Sequence, residues 1–386
     1  MKRICIVRHR GYEPQVRREA EALRDAGFDV DTIVLRDEGG AAVEEIEGVR
    51  VIRVPLSRDR GGVLRYMFDY LGFFVLATAR LTREHLRRRY AVVQVNTMPD
   101  FLVFCTLPAK LLGAKVIAFM KEPSPELAET LFASSLVPRI YRFIEGRVLR
   151  YADLVFTVTE DLKEVYVARG ADARKIRVVL NGPDPRHWQA PAASVPTAPG
   201  FTAVCHGSIE DRYGHDVIVN AVHLVGDRLP DLRVRIAGQG TKAAEVERLI
   251  AELGVGDKVQ LLGWLDHEEL ERELRQADVG LVAQRSSPYS NLVHTIKMYD
   301  YMLLGKPVVA SRLRSTGRYF DETTVRYFRP DDPADLAEAL VELHDCPERR
   351  RSLAEAGARR HEQLGWVTQR KALIDGYHDL LGEHDA

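Results

Sequence analysis

ICIVRHRGYEPQVRREAEALRDAGFDVDTIVL, residues 4–35, decides the fold. Four consecutive apolar residues, Ile4–Val7, lack the alternation of a half-exposed strand and suit a strand buried on both faces of a parallel sheet. The next stretch, PQVRREAEALRDAG, reads as a helix ending at Gly27, a residue suited to the left-handed turn that closes helices. FDVDTIVL is a second strand, and strand–helix–strand is the βαβ unit. Asp29 and Asp31 form a DxD on that second strand; alternation there turns both outward, and no metal is expected at them.

Outward from this unit the same rhythm continues. VRVIRVP, YAVVQVN, AKVIAFM, ADLVFTVT and KIRVVLNG read as strands, with helices at Phe101–Leu112 and EDLKEVYVARG. Residues 185–200, PRHWQAPAASVPTAPG, carry no periodicity and are rich in Pro and Ala, as a linker is. The rhythm then restarts with strands FTAVCHG, LRVRIAG, VQLLGWL, DVGLVAQ and KPVVAS, separated by helical patterns such as HDVIVNAVHLVG, KAAEVERLIAELG and HEELERELRQA. The expectation is an α/β chain of two doubly wound halves, with ligands held across a cleft at the strand carboxyl ends.

Composition agrees with two domains. At 386 residues the chain exceeds the size at which single cores stop growing. A net charge of −1 offers no field for nucleic acid. Cys5, Cys105, Cys205 and Cys346 are scattered, without metal-ligand spacing, and read as small core residues. No run reaches the roughly 20 apolar residues of a membrane span, and no signal peptide is seen, so the cytoplasm is the expected compartment. Tyr70–Ala79 (YLGFFVLATA), followed by Arg80, Arg83, Arg87, Arg88 and Arg89, reads as a core helix and then a solvated one. Peripheral contact with an anionic inner membrane face is its alternative.

Two motifs carry chemistry. IAGQG sets Gly238 and Gly240 in the turn after a strand, where backbone can approach a ligand closely. In HTIKMYDYMLLGKPVVAS, residues 294–311, a helix begins near Thr295 with Lys297 in its first turn and Asp300 and Tyr301 on the same face. A lysine there opposes the helix dipole and calls for an anion, while an acidic residue one turn on suits ribose hydroxyls. A surface ion pair between Lys297 and Asp300 accounts for the residues equally well.

With GKPVVAS after an acidic helix, QVRREAEALRDAGFDV near the start, VQVNTMPDFLVFCTLPAKLLGAKVI, KIRVVLNGPD and HGSIEDRYGHDVIVNAV, the chain resembles the retaining glycosyltransferases of family 4, which have the GT-B fold. The resemblance implies a nucleoside diphosphate-sugar donor on the C-terminal domain and a glycan, lipid-linked or small-molecule hydroxyl acceptor on the other, with no cofactor and no metal. It implies domains at 1–187 and 201–365, a linker at 188–200, and a final helix, 366–386, packing back on the first domain. Lys297 and Arg212 would hold the diphosphate, and Asp300 the ribose. Gly207, Ser208, Gly238, Gly240, His294 and Thr295 would line the donor site, with Trp264 and Leu265 at the base. His9, Gly11 and Asn96 would face the acceptor.

Lys121 and Glu122, at the carboxyl end of an apolar strand, stand where many members have a His-Asp pair and are carried as catalytic candidates. Leu292 replaces the first of the family's two spaced glutamates. Ser208 and Tyr213 replace its usual Arg and Lys. Transfer by front-side attack, with the departing phosphate taking the acceptor's proton, needs no protein base; a double displacement would use Glu122 as nucleophile. A nucleotide-sugar epimerase on the same fold and a catalytically silent nucleotide-sugar binder are the alternatives. A nicotinamide oxidoreductase is disfavoured, because no GxGxxG follows the first strand.

Overall fold

The computed structural model describes residues 1–36, 40–56, 63–132, 135–188 and 200–383. The chain divides into two compact units, Met1–Leu180 with Gln369–Ala386, and Asn181–Thr368. The division falls at Leu180, a few residues before the point expected from the loss of periodicity. Residues 189–199, most of the expected linker, lie outside the described residues.

The first unit holds β1 (Arg3–Arg8), β2 (Asp29–Leu35), β3 (Val43–Ile46), β4 (Val49–Val54), β5 (Val92–Asn96), β6 (Lys115–Met120), β7 (Leu154–Thr157) and β8 (Ile176–Val178). They form one sheet in the order β3-β4-β2-β1-β5-β6-β7-β8. All neighbours are parallel except β3 with β4, a hairpin turned at Glu47 and Gly48, both with positive φ. Two left-handed residues match the twist of paired strands. The half-exposed VEEI of β3 carries no apolar run, so it gives no strand signal in the sequence. The strip Gln369–Leu381 of the last helix belongs to this unit: the Tyr377 hydroxyl donates to Gln94 Oε1 at 2.8 Å, and Gln369 Oε1 accepts from the Leu180 N–H at 2.9 Å.

The second unit holds β9 (Phe201–His206), β10 (Leu232–Ala237), β11 (Val259–Gly263), β12 (Val279–Val282), β13 (Val308–Ser311) and β14 (Val325–Phe328). The order β11-β10-β9-β12-β13-β14, parallel throughout, is third-second-first-fourth-fifth-sixth, the doubly wound order with its topological switch between the first and fourth strands. Val204, Val234, Val279 and Val309 are fully buried on these strands, as helices on both faces require.

Three expectations are corrected. Asp31 is not outward-facing: it is buried, bonded to Tyr90 and paired with Arg50 and Arg88, because the helix Val63–Arg88 covers that face of β2. Asp29 shares Arg88 with it. The stretch Phe101–Leu112 is not one helix but a 3-10 turn, Asp100–Thr106, leading into a short α-helix, Leu107–Leu111. Pro108, which cannot donate to a preceding turn, sits where one gives way to the other. Tyr70–Arg88 is not a core helix followed by another but part of one helix, Val63–Arg88, with Phe73 and Ala77 buried and Leu71 and Val75 exposed, and Arg89 follows it with positive φ.

Candidate functional site

At the carboxyl ends of β9, β10 and β11 the backbones are laced too closely for side chains. The Gly207 N–H donates to Ala237 O at 2.8 Å and the Gly238 N–H to Gly263 O at 2.7 Å. Gly207 and Gly238 have φ of +104° and +152°, and a Cβ on Gly238 would stand 1.8 Å from Gly207 O. One on Gly240 would stand 2.1 Å from Ile209 O. Only glycine meets both demands.

Against this floor lies the ammonium of Lys297. It opens the helix Lys297–Leu303, is 6% exposed, and would sit 3.1 Å from a Cβ placed on Gly207. Its helix is pinned by the buried Tyr301, whose hydroxyl donates to Val204 O at 3.1 Å and whose ring fills the space left by Gly280. Lys297 Nζ lies 4.1 Å from the centre of the Tyr213 ring, and the Arg212 guanidinium lies 4.8 Å from the same centre. One aromatic face system thus holds both cations. Among the described residues no carboxylate comes within ion-pairing distance of Lys297 Nζ. The nearby acid, Asp300, instead faces the His206 Nε2 at 3.4 Å.

The surrounding imidazoles register this charge. Burial, with the Lys297 charge second, drives His206 down to about 3 and His215 to about 4, so both are neutral at pH 7.

The other expected donor residues fall around this cluster differently. Thr295 Oγ1 takes a long hydrogen bond from the Lys297 N–H, 3.4 Å. Ser208 is exposed and Leu292 buried. Trp264 and Leu265 follow directly on β11, Trp264 with 69% of its surface open. His294 does not present a free ring: its Nε2 lies 2.9 Å from the Tyr299 hydroxyl, and Tyr319 packs across it at 5.0 Å. Burial pushes it down to about 4.

In the first unit the carboxyl edge is organised by a carboxylate. Glu19, fully buried on the helix Pro14–Asp25, accepts from Lys121 Nζ at 2.6 Å and from Asn96 Nδ2 and Gln94 Nε2 at 2.8 Å. Burial lowers Lys121 to about 7 against the pull of Glu19. Burial works the other way on Glu19, but the ammonium and the Asn96 amide hold its carboxyl below the usual range. His9, after β1, packs edge-on against Tyr70 and Phe73 at 4.6 and 4.9 Å. Gly11 lies half-buried two residues on. Asp100, after β5, is pushed up to about 6 by burial, with Glu122 adding to the effect. Glu126, from the same stretch as Lys121 and Glu122, is spent on a partly buried ion pair with Arg169.

Tyr213 and Glu19 were not singled out from the sequence as functional. Glu19 had a signal: it stands on the stripe Val16–Glu19–Leu23, a carboxylate on the core face of its helix.

Two doubly wound units, one with a glycine floor under a paired cation cluster, define a nucleotide-sugar transferase of the GT-B class. Residues 10–182 match the family described as "Glycosyl transferase 4-like domain" and residues 200–346 that described as "Glycosyl transferases group 1". Together these span most of the chain, which belongs to this glycosyltransferase family and is itself a glycosyltransferase. It is 27% identical to a D-inositol 3-phosphate glycosyltransferase of Pseudarthrobacter chlorophenolicus, covering 97% of this chain and 91% of that one. Over 53% of this chain and 52% of the other it is 25% identical to a putative teichuronic acid biosynthesis glycosyltransferase of Bacillus subtilis. In fold it is similar to a sucrose-phosphate synthase from Thermosynechococcus elongatus (TM-score 0.78, 20% identity, all of both chains). It is also similar to Anabaena HepE in complex with UDP-glucose (TM-score 0.72, 14% identity, 98% and 100% covered). No helix among the described residues is long and apolar enough to cross a membrane.

Proposed function

We propose that the second unit binds the nucleoside diphosphate-sugar with its diphosphate between Lys297 and Arg212, its ribose at Asp300, and its base beside Trp264 and Leu265. One observation carries this: Lys297 is a buried ammonium with an aromatic ring and a glycine floor for company and no carboxylate. Burying a cation unpaired is costly, and a bound dianion removes the cost. The HepE structure holds UDP-glucose, and a Corynebacterium glutamicum relative is a GDP-mannose-dependent mannosyltransferase; both donors carry the diphosphate that this arrangement fits.

The sugar is transferred to an acceptor hydroxyl with its anomeric configuration kept. The bond from C1 to the phosphate oxygen breaks, and negative charge grows on the diphosphate. Lys297 and Arg212, already in place, stabilise that charge. The acceptor oxygen bonds to C1 from the same face, and its proton passes to the departing phosphate oxygen. Lys121, neutralised by Glu19, acts as a positioning group: it fixes Glu19, which fixes Asn96. With His9 and Gly11, Asn96 forms the acceptor side, and no protein nucleophile is required of Glu122. The acceptor is a glycan, lipid-linked or small-molecule hydroxyl.

Thermal melts with UDP, GDP, dTDP and ADP, on the wild type and on Lys297→Ala, test the donor site. A nucleotide at 100 times its dissociation constant adds about 2.7 kcal/mol. Stabilisation by one nucleotide, absent in the variant, supports the site and names the base. No shift from any of the four, with a cooperative melt intact, sinks the donor-site assignment.

A further inference from the structure

Large apolar side chains are exposed on one layer of the first unit. The helix Val63–Arg88, the 3-10 turn Asp100–Thr106, and the helices Leu107–Leu111 and Leu136–Tyr151 belong to successive crossovers (β4 to β5, β5 to β6, β6 to β7) that step the same way across the sheet. Right-handed connection therefore puts them on the same face. They adjoin through ring contacts, Phe74 to Phe101 at 5.9 Å and Phe104 to Tyr151 at 5.2 Å.

Their outer stripes share a character. On the first helix Phe68, Leu71 and Val75 follow one another at helical spacing, Phe68 with 73% of its surface open. Leu111 between the helices is 79% exposed. On the last helix Leu136, Ile140, Phe143, Arg147 and Arg150 form one stripe, with Arg139 at its border, and the Arg147 guanidinium lies 4.7 Å from the centre of the exposed Phe143 ring. Neither outer stripe carries a carboxylate. Among the described residues no acid pairs with Arg83, Arg87, Arg139, Arg147 or Arg150, although other arginines of the same helices, Arg80, Arg88 and Arg142, are paired.

We propose that this layer docks on the surface of an anionic lipid bilayer. Soluble surfaces rarely leave so many adjacent apolar side chains in water. A protein partner would explain the apolar stripes but not a border of arginines without acids. Hydrocarbon below and lipid phosphates above satisfy both, with long arginine stems reaching from one to the other. The contact of His9 with Tyr70 and Phe73 ties the apolar start of the first helix to the carboxyl end of β1. The docked face therefore borders the edge assigned to the acceptor, and the inference, resting on the transferase reading for this step, makes the acceptor lipid-linked.

Co-sedimentation with vesicles decides it, using the full chain on phosphatidylcholine alone and on phosphatidylcholine with phosphatidylglycerol. The variants are Leu71→Ser/Leu111→Ser/Phe143→Ser and Arg147→Gln/Arg150→Gln, all at exposed positions, with an unliganded melt to confirm each fold. The wild type is expected on the anionic vesicles. The apolar variant should lose at least tenfold in partitioning, and the arginine variant roughly thirtyfold. A wild type left in the supernatant with both vesicles, or binding indifferent to both variants, overturns the inference. So does a wild-type dimer in sedimentation velocity that the apolar variant splits, with no vesicle binding, which would make the face an interface between copies. Because no nucleotide enters this assay, failure of the donor site and failure of the docking surface are separate results.

Discussion

The two units repeat one architecture and use it oppositely. Each places its topological switch beside its first strand, and each brings a lysine to the carboxyl edge of its sheet. In the first unit that lysine, Lys121, is answered by Glu19, and Glu19 is answered again by Asn96 and Gln94. The network closes within the protein. In the second unit Lys297 is answered by a ring, and the ring holds a second cation. On the proposed donor site, a bound diphosphate completes that network. The same fold thus yields one edge where the lysine is balanced by a carboxylate and one where Lys297 is not.

The sharpest way to break this contrast is to remove each ammonium. Lys121→Met leaves Glu19 buried without its cation, a loss of about 3–5 kcal/mol in unfolding free energy by analogy with other broken buried pairs. Lys297→Met takes away a buried charge that no carboxylate balances, so the unliganded protein should melt no lower than the wild type. Urea titration of the two variants compares them directly. If Lys297→Met destabilises as much as Lys121→Met, Lys297 is part of the internal framework and the contrast falls.

Activity should reverse the ranking. Lys297→Ala is expected to lower kcat/KM by about 10²–10³, the usual cost of removing a preorganised group facing developing charge. The measurement is transfer with the nucleotide-sugar whose base the melts identify. A loss confined to KM would mean that Lys297 holds ground state and transition state equally and serves only in binding.

How far these edges could be read in advance follows from the same contrast. The alternation of apolar runs with amphipathic stretches located twelve of the fourteen strands, because strands buried on both faces are apolar throughout. The exceptions, β3 and β14, lie at sheet edges, where VEEI and VRYF are short and partly polar. Lys297 and Asp300 were visible because their helix carries them at i and i+3. Tyr213 was noted only as a departure from a pattern, since its role lies in the meeting of two segments far apart in sequence. Asp31 was misjudged for a related reason: strand alternation assigns a face, but only the tertiary fold says that a helix with Arg88 covers it.

Acid should separate the units as well. In the second, burial holds His206 at about 3 and His215 and His294 at about 4, below the ordinary imidazole value. Neutral in the folded state, these rings contribute stability that is present above about pH 6.5 and lost as pH falls toward 4, at about 1 kcal/mol per unit for each. In the first unit burial raises Asp100 to about 6 and Glu145 to about 7. Their folded forms hold protons that the unfolded chain releases, so their contribution grows as pH falls from 7. Hydrogen exchange at pH 7 and pH 5 should show protection falling first in β9–β14. Earlier opening of β1–β8 would contradict the assignment.

The smallest effect is the most specific to this chain. If the Tyr213 ring holds Lys297 and Arg212 by its face, Tyr213→Leu should raise KM for the nucleotide-sugar about two- to tenfold, the range of cation–π energies at partly desolvated sites. Tyr213→Phe should stay near the wild type, because phenylalanine keeps the ring and loses only the hydroxyl. A merely space-filling role would let leucine serve almost as well as phenylalanine. A role for the hydroxyl would make Tyr213→Phe as poor as Tyr213→Leu. Only the ordering in which phenylalanine is tolerated and leucine is not keeps the ring as what aligns two like charges side by side, ready for a dianion that would otherwise have to overcome their repulsion as it bound.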